Sequence, residues 1–155
     1  MIDLTMPCFW PGNAEKEGII IGRLLTGYGE LEFGMCKCLA LTIPGESNEA
    51  LNKAVKLLFQ TRGEERRIKT ADKAMKAPFR AVGLGQAYDE TIDDMHWCRK
   101  IRNQYSHCHW LYTDSDGLHF INLEDWAKLP SPPPTLTAGR LPVSISLLAE
   151  LGNLF

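Results

Sequence analysis

Nothing in this chain of 155 residues is apolar for long enough to cross a bilayer. Its longest apolar patch, GIIIGRLL at 18–25, is broken by Arg23 and falls far short of the roughly 20 residues a membrane helix needs. Nothing marks MIDLTMPCFWPGNAEKEG as a secretory signal either, since it has no positively charged segment followed by an apolar run. An excess of one charge is lacking too. With 17 basic against 19 acidic side chains, bulk charge binds the chain neither to nucleic acid nor to an anionic membrane, and any such contact must be local. The few cysteines, Cys8, Cys36, Cys38, Cys98 and Cys108, form an odd set without a framework spacing, which suits a reducing compartment. The expectation is a soluble cytoplasmic protein with no membrane partner.

Several kinds of chemistry are missing as well. No C-x-x-C or H-x-x-x-H pair occurs, and His96 and Cys98, like Cys36 and Cys38, stand two apart, which on a helix points them to different sides. GLGQA at 83–87 is too short for a phosphate loop and follows no strand. No Ser-His-Asp arrangement stands out, so the expectation is no metal and no cofactor.

What is present is helical periodicity. The length suits one core, hence one domain over 1–155. From about Asn13 to Leu41, Ile20, Leu24, Tyr28, Leu31, Met35 and Leu39 recur at intervals of four or three. After Pro44 and Gly45 a second helix begins with Ser47 or Asn48 as N-cap and buries Leu51, Val55, Leu58 and Phe59. A third turns Ile68, Ala71 or Ala74, and Met75 inward until Pro78 ends it. The turn VGLG leads to a fourth helix, from about Gln86 to Cys108, with Asp94, Cys98, Ile101, Tyr105 and Cys108 along one line and Met95 beside them.

The period then changes. WLYTDSDGLHFI reads as a hairpin around an Asp-Ser-Asp-Gly turn. LPSPPPT is a stiff linker, and VSISLLAELGNL forms a last helix with Val143, Leu147, Leu148 and Leu151 inward. The predicted fold is all-α: an antiparallel bundle of about four main helices over 13–110, a short β-hairpin over 110–122, and a proline linker with a C-terminal helix over 130–155.

The fourth helix carries CRKIRNQYSHCHW at 98–110. Side chains three, four, seven and eight apart share a helical face. Arg99, Arg102, Asn103, Ser106 and His107 have those spacings, away from the Cys98, Ile101 and Tyr105 stripe. One reading is a solvated face, since Asp89, Glu90, Asp93 and Asp94 open the helix and Arg99, Lys100, Arg102 and His107 close it, as the macrodipole favours. Against it, Asn103 lies one turn before His107, where it can orient the imidazole, and asparagine is a mediocre interior helix former. Tyr105 falls on the apolar stripe and reads as core.

RNQYSH resembles the Arg-x(4–6)-His signature of HEPN-domain ribonucleases, whose commoner form has Asn directly after Arg, as Arg102, Asn103 and His107 do here. The order of four helices with the motif near the end of a late one is similar too. The resemblance implies metal-independent endoribonuclease chemistry, in which the ribose 2′-hydroxyl attacks the adjacent phosphorus and leaves a 2′,3′-cyclic phosphate. His107 is then the acid–base group, Arg102 the phosphate ligand and Asn103 the orienting residue, with Arg99, Ser106 and His109 as substrate contacts. His109 also satisfies the looser spacing from Arg102, but Asn103 favours His107, and His109, at or past the helix end, reads as an RNA contact or a hairpin-packing residue.

One pair supplies a single imidazole, and five helical positions separate Arg102 and His107 by about 140°. A second copy resolves this, as in HEPN dimers, so a composite site in a two-fold homodimer is expected, with a cognate antitoxin or regulatory protein as a further partner. Basic residues from Arg62 to Arg80 either guide RNA or form a solvated face partly paired with Asp89, Glu90, Asp93 and Asp94. The alternative function is a non-catalytic HEPN-like dimer that binds a nucleotide, an RNA or a protein partner; a purely structural helical dimer is the third.

Overall fold

The computed structural model describes residues 15–113, 117–131 and 141–152. In chain order these form α1 (Glu15–Ala40), α2 (Ser47–Phe59), α3 (Glu64–Ala81), α4 (Gly85–Ser106), β1 (Cys108–Thr113), β2 (Gly117–Asn122), α5 (Leu123–Lys128), β3 (Leu141–Pro142) and α6 (Ile145–Gly152). The fold is all-α, with four long helices, a small three-stranded antiparallel sheet and a C-terminal helix. The Asp114–Asp116 part of the expected turn, the linker from 132 to 140 and the expected helix start near Asn13 lie outside the described residues.

The described residues divide into two compact units: 26–102, and 15–25 together with those from 103 to 152. In the first, Ala54, Leu58, Ile68, Ala71, Met75, Met35, Cys36, Leu39, Tyr88 and Met95 form one buried cluster. Burying each large apolar side chain contributes about 1.5–3 kcal/mol before the cost of ordering it. On α2 the buried line is Ala50, Ala54 and Leu58, a strict interval of four. That line leaves Leu51 and Val55 half-buried and Phe59 exposed, contrary to the expected stripe. Phe59 instead lies under the Arg67 guanidinium, 5.0 Å from the ring centroid. The α2 cap is Glu46, not Ser47 or Asn48, and makes no side-chain cap bond; the first helical bond starts at its carbonyl, from Ala50 N at 2.8 Å.

Pro78 does not end α3, which continues to Ala81. A proline removes one helical bond, and here the last turn is held in other ways. Gly83, with φ 81°, donates to the Arg80 carbonyl at 3.1 Å, and Leu84 donates to the Phe79 carbonyl at 3.0 Å. These two bonds make a Schellman closure, whose left-handed residue is favoured as glycine. Phe79 also stacks on Tyr88, with centroids 5.3 Å apart.

In the second unit, Ile21 and Leu24 of α1 are buried. Strands β1 and β2 pair antiparallel from Cys108↔Asn122 to Thr113↔Gly117, and Leu141 of β3 faces Phe120. Tyr105, Trp110 and Phe120 pack ring against ring at 5.4–5.7 Å. This packing explains why α4 stops at Ser106 rather than at Cys108: the chain after His107 is drawn into strand pairing. The orphan Gln104 carbonyl at the helix end accepts from Asn122 Nδ2 at 3.3 Å and from the Cys108 thiol. Asn122 Oδ1 then caps α5 by accepting from the Glu124 and Asp125 backbone amides. Neither α5 nor the two-residue β3 was expected from the sequence. On the last helix Leu148 is wholly buried while Leu147 is exposed; Val143 is buried too, but it precedes that helix, between β3 and α6, where its backbone N donates to the Leu118 carbonyl at 2.9 Å.

Candidate functional site

Within residues 26–102, α1, α3 and α4 bring together a charged cluster that begins on the buried stripe of α1. Glu32 stands one turn after Tyr28 and one before Cys36, all three buried. A carboxylate in such a place requires a partner, and Arg67 of α3 supplies it, Nε to Oε1 at 2.8 Å. Glu64 and Glu65 occupy the first turn of α3, where the helix dipole favours negative charge. From there Glu64 meets Arg102 Nη1 at 2.7 Å and Glu65 meets Arg99 Nη2 at 3.1 Å, both arginines on α4. The Arg102 guanidinium also lies 5.9 Å from the centroid of the Tyr28 ring.

Three guanidinium groups thus face three carboxylates around one tyrosine. Two atoms are left over: among the described residues, Tyr28 Oη and Arg99 Nε are buried without a hydrogen-bond partner. Burial, reinforced by the negative charge of Glu32 and Glu64, pushes the Tyr28 phenol well above its ordinary range. Tyr28 therefore stays protonated, a donor without an acceptor. The hydrogen bond from Lys69, followed by the charges of Lys69 and Arg99, holds the exposed Glu65 carboxyl below its usual range.

The sequence-predicted residues are placed differently from one another. Arg99 and Arg102 are largely enclosed, with side chains 17 % and 30 % exposed, and both are salt-bridged. Asn103 is half-buried, and its carbonyl accepts from Ser106 Oγ at 3.5 Å. His107 is the first residue past α4 and is exposed; its carbonyl accepts from Leu123 N at 3.3 Å. The one-turn helical relation expected between Asn103 and His107 therefore ends one residue early. His109 is an exposed residue of β1 opposite Ile121. In the basic segment, Lys76 and Arg80 both engage Asp89, at 3.2 and 2.8 Å, and lower its carboxyl pKa, as in the solvated-face reading.

Sequence reasoning missed Tyr28, Glu32, Glu64, Glu65 and Arg67 as a group. One signal was available, since Glu32 interrupts an apolar stripe at a position where only a paired charge is stable. Cys36, Cys98 and Cys108 behave as packing and capping groups: burial raises the Cys36 and Cys98 thiols, and burial with Asp125 nearby raises Cys108 to about 12. Among the described residues no group of three or more His, Cys, Asp or Glu side chains gathers into a possible metal site, and no helix is long and apolar enough to cross a membrane. No family model, curated protein or solved structure gives a significant match to the chain.

Proposed function

We propose that this chain is an endoribonuclease of HEPN type that works on RNA as a homodimer, without a metal ion. The observation that carries the reading is the placement of RNQYSH: Arg102 sits near the end of the fourth long helix and His107 is exposed just beyond it. In this reading neutral His107 accepts the ribose 2′-hydroxyl proton as the oxygen attacks phosphorus, and an imidazolium protonates the departing 5′-oxygen. Two copies supply the two imidazoles. Arg102 offers a permanently charged fork to the phosphate as negative charge builds. Asn103 orients, while Arg99, Ser106 and His109 contact substrate. A cognate antitoxin or regulator is the further partner of this reading, and the cytoplasm its compartment.

A second reading, a non-catalytic dimer that binds a nucleotide, RNA or protein, draws on one specific observation. The Arg102 charge is already met by Glu64 at 2.7 Å, so a phosphate must displace a carboxylate to reach it. The two readings separate on a mixed RNA pool in excess chelator, with sedimentation of the same sample. The ribonuclease reading expects a dimer and cleavage that survives chelation; binding without cleavage gives the second reading, and a monomer that does not cut ends the first.

A further inference from the structure

Away from the charged cluster, but still within residues 26–102, α1, α3 and α4 enclose a half-open recess of about 380 Å³. A void of about 150 Å³ lined by aliphatic and aromatic groups already takes a benzene ring, and pockets for small organic molecules start near 300 Å³. The lining is almost wholly apolar, with Met35, Met75 and Met95 as its adaptable part. Its aromatic wall is fixed in advance. Tyr88 Oη donates to Asp72 Oδ1 at 3.0 Å, turning the hydroxyl away to another partner, and the ring stacks on Phe79.

One position on α1 gives the recess its room. Gly34 lines it, in mid-helix, where glycine costs about 1 kcal/mol relative to alanine. Among the described residues, a Cβ built there would meet no atom within 4 Å, so their packing does not demand a glycine. The charge of the lining is one-sided. Among the described residues Glu30 is the single charged one in the lining, which holds no Lys, Arg or His. A carboxylate or phosphate entering would find no counter-charge, whereas a cation would find Glu30, which is exposed.

We propose that this recess binds a small amphipathic amine, an apolar body of roughly a dozen non-hydrogen atoms carrying one protonated nitrogen, with the body between α1, α3 and α4 and the nitrogen at Glu30. The inference does not depend on the ribonuclease reading.

The test compares decylamine, decanol and decanoate by titration calorimetry at low ionic strength, below self-association of each probe. The wild type should bind decylamine roughly threefold to fivefold more tightly than decanol, the worth of one exposed charge pair, and decanoate least. Glu30→Gln should bring decylamine down to decanol. Gly34→Leu raises helix propensity while filling the space, so it should stay folded by circular dichroism and lose about tenfold or more in affinity for decylamine and decanol. Ala87→Phe, at an exposed lining position on α4, should block the recess independently. Gly29→Leu lies off the lining, where a Cβ also meets nothing within 4 Å, and should bind as wild type. Equal affinity for amine and carboxylate, unchanged binding in both blocking variants, or no binding of any probe overturns the proposal. So does a wild-type dimer that Gly34→Leu splits in sedimentation, because the occupant is then a second copy.

Discussion

The Arg102 guanidinium of α4 is held 2.7 Å from the carboxylate of Glu64, a residue in the first turn of α3. Arginine is always charged, so this pairing governs whether the charge is available to a ligand. If Arg102 serves a phosphate, Glu64 competes with the substrate. Glu64→Gln keeps the shape and removes the competing charge, so RNA affinity should rise about fivefold, the upper end of what a partly exposed ion pair is worth. A titration of uncleaved RNA analogue against wild type and Glu64→Gln checks this; unchanged or weaker binding argues against Arg102 as a phosphate ligand.

The same pair changes what Arg102→Ala does to the fold. A polar-face position alone would suggest a neutral substitution, yet the Glu64 side chain is only 15 % exposed and would lose its cation. A hydrogen bond to a charged group is worth about 1.5–3 kcal/mol, so Arg102→Ala should destabilise by about that amount. Denaturant melts should show the loss, and Glu64→Gln combined with Arg102→Ala should recover part of it.

Glu32 and Arg67 set a harder case, since their side chains are 10 % and 16 % exposed. Removing one partner from a buried pair typically costs about 3–5 kcal/mol. Arg67→Ala should therefore unfold at clearly lower urea than wild type, whereas replacing both, Glu32→Leu with Arg67→Met, should restore much of the stability. A double mutant as weak as Arg67→Ala would show that the pair contributes more than charge compensation.

Cysteine reactivity follows from burial. Cys38 is exposed and Cys36 and Cys98 are buried, while Cys108 is raised to about 12 and donates to the Gln104 carbonyl. Among these four, iodoacetamide at mildly alkaline pH should label Cys38 first, as peptide mass mapping will show. The raised Cys108 pKa also stabilises the fold only while its proton stays bound. That contribution is complete below the unfolded value near 9, and declines as pH rises towards the folded value near 12. Cys108→Ala should therefore show a shallower loss of stability over that alkaline range.

How far the sequence could be read depended on the range of the interaction. Helices announced themselves through local spacing: Tyr28, Met35 and Leu39 on α1, and Ile68, Ala71 and Met75 on α3, are buried as their intervals require. Their ends were less readable. Pro78 signals a break, but the Gly83 closure and the Phe79–Tyr88 stack outweigh the lost bond. The end of α4 is decided by Tyr105, Trp110 and Phe120, whose ring packing pulls the chain after His107 into the sheet once β1 and β2 pair, and the helical spacing through Cys108 does not announce it. The charged cluster was hidden for the same reason. Glu64 and Arg102 are 38 positions apart, and no local pattern links them.

Whether His107 does acid–base chemistry on RNA is read from the rate of cleavage in excess chelator for wild type, His107→Ala and His109→Ala, with product ends mapped. His107 is exposed, so its replacement should move stability by about 0.5 kcal/mol or less. Wild-type products should end in a 2′,3′-cyclic phosphate, His107→Ala should lose about a hundredfold to ten-thousandfold in rate, and His109→Ala should keep appreciable activity. Full activity in His107→Ala, or a folded wild-type dimer that never cuts RNA, contradicts that role for His107.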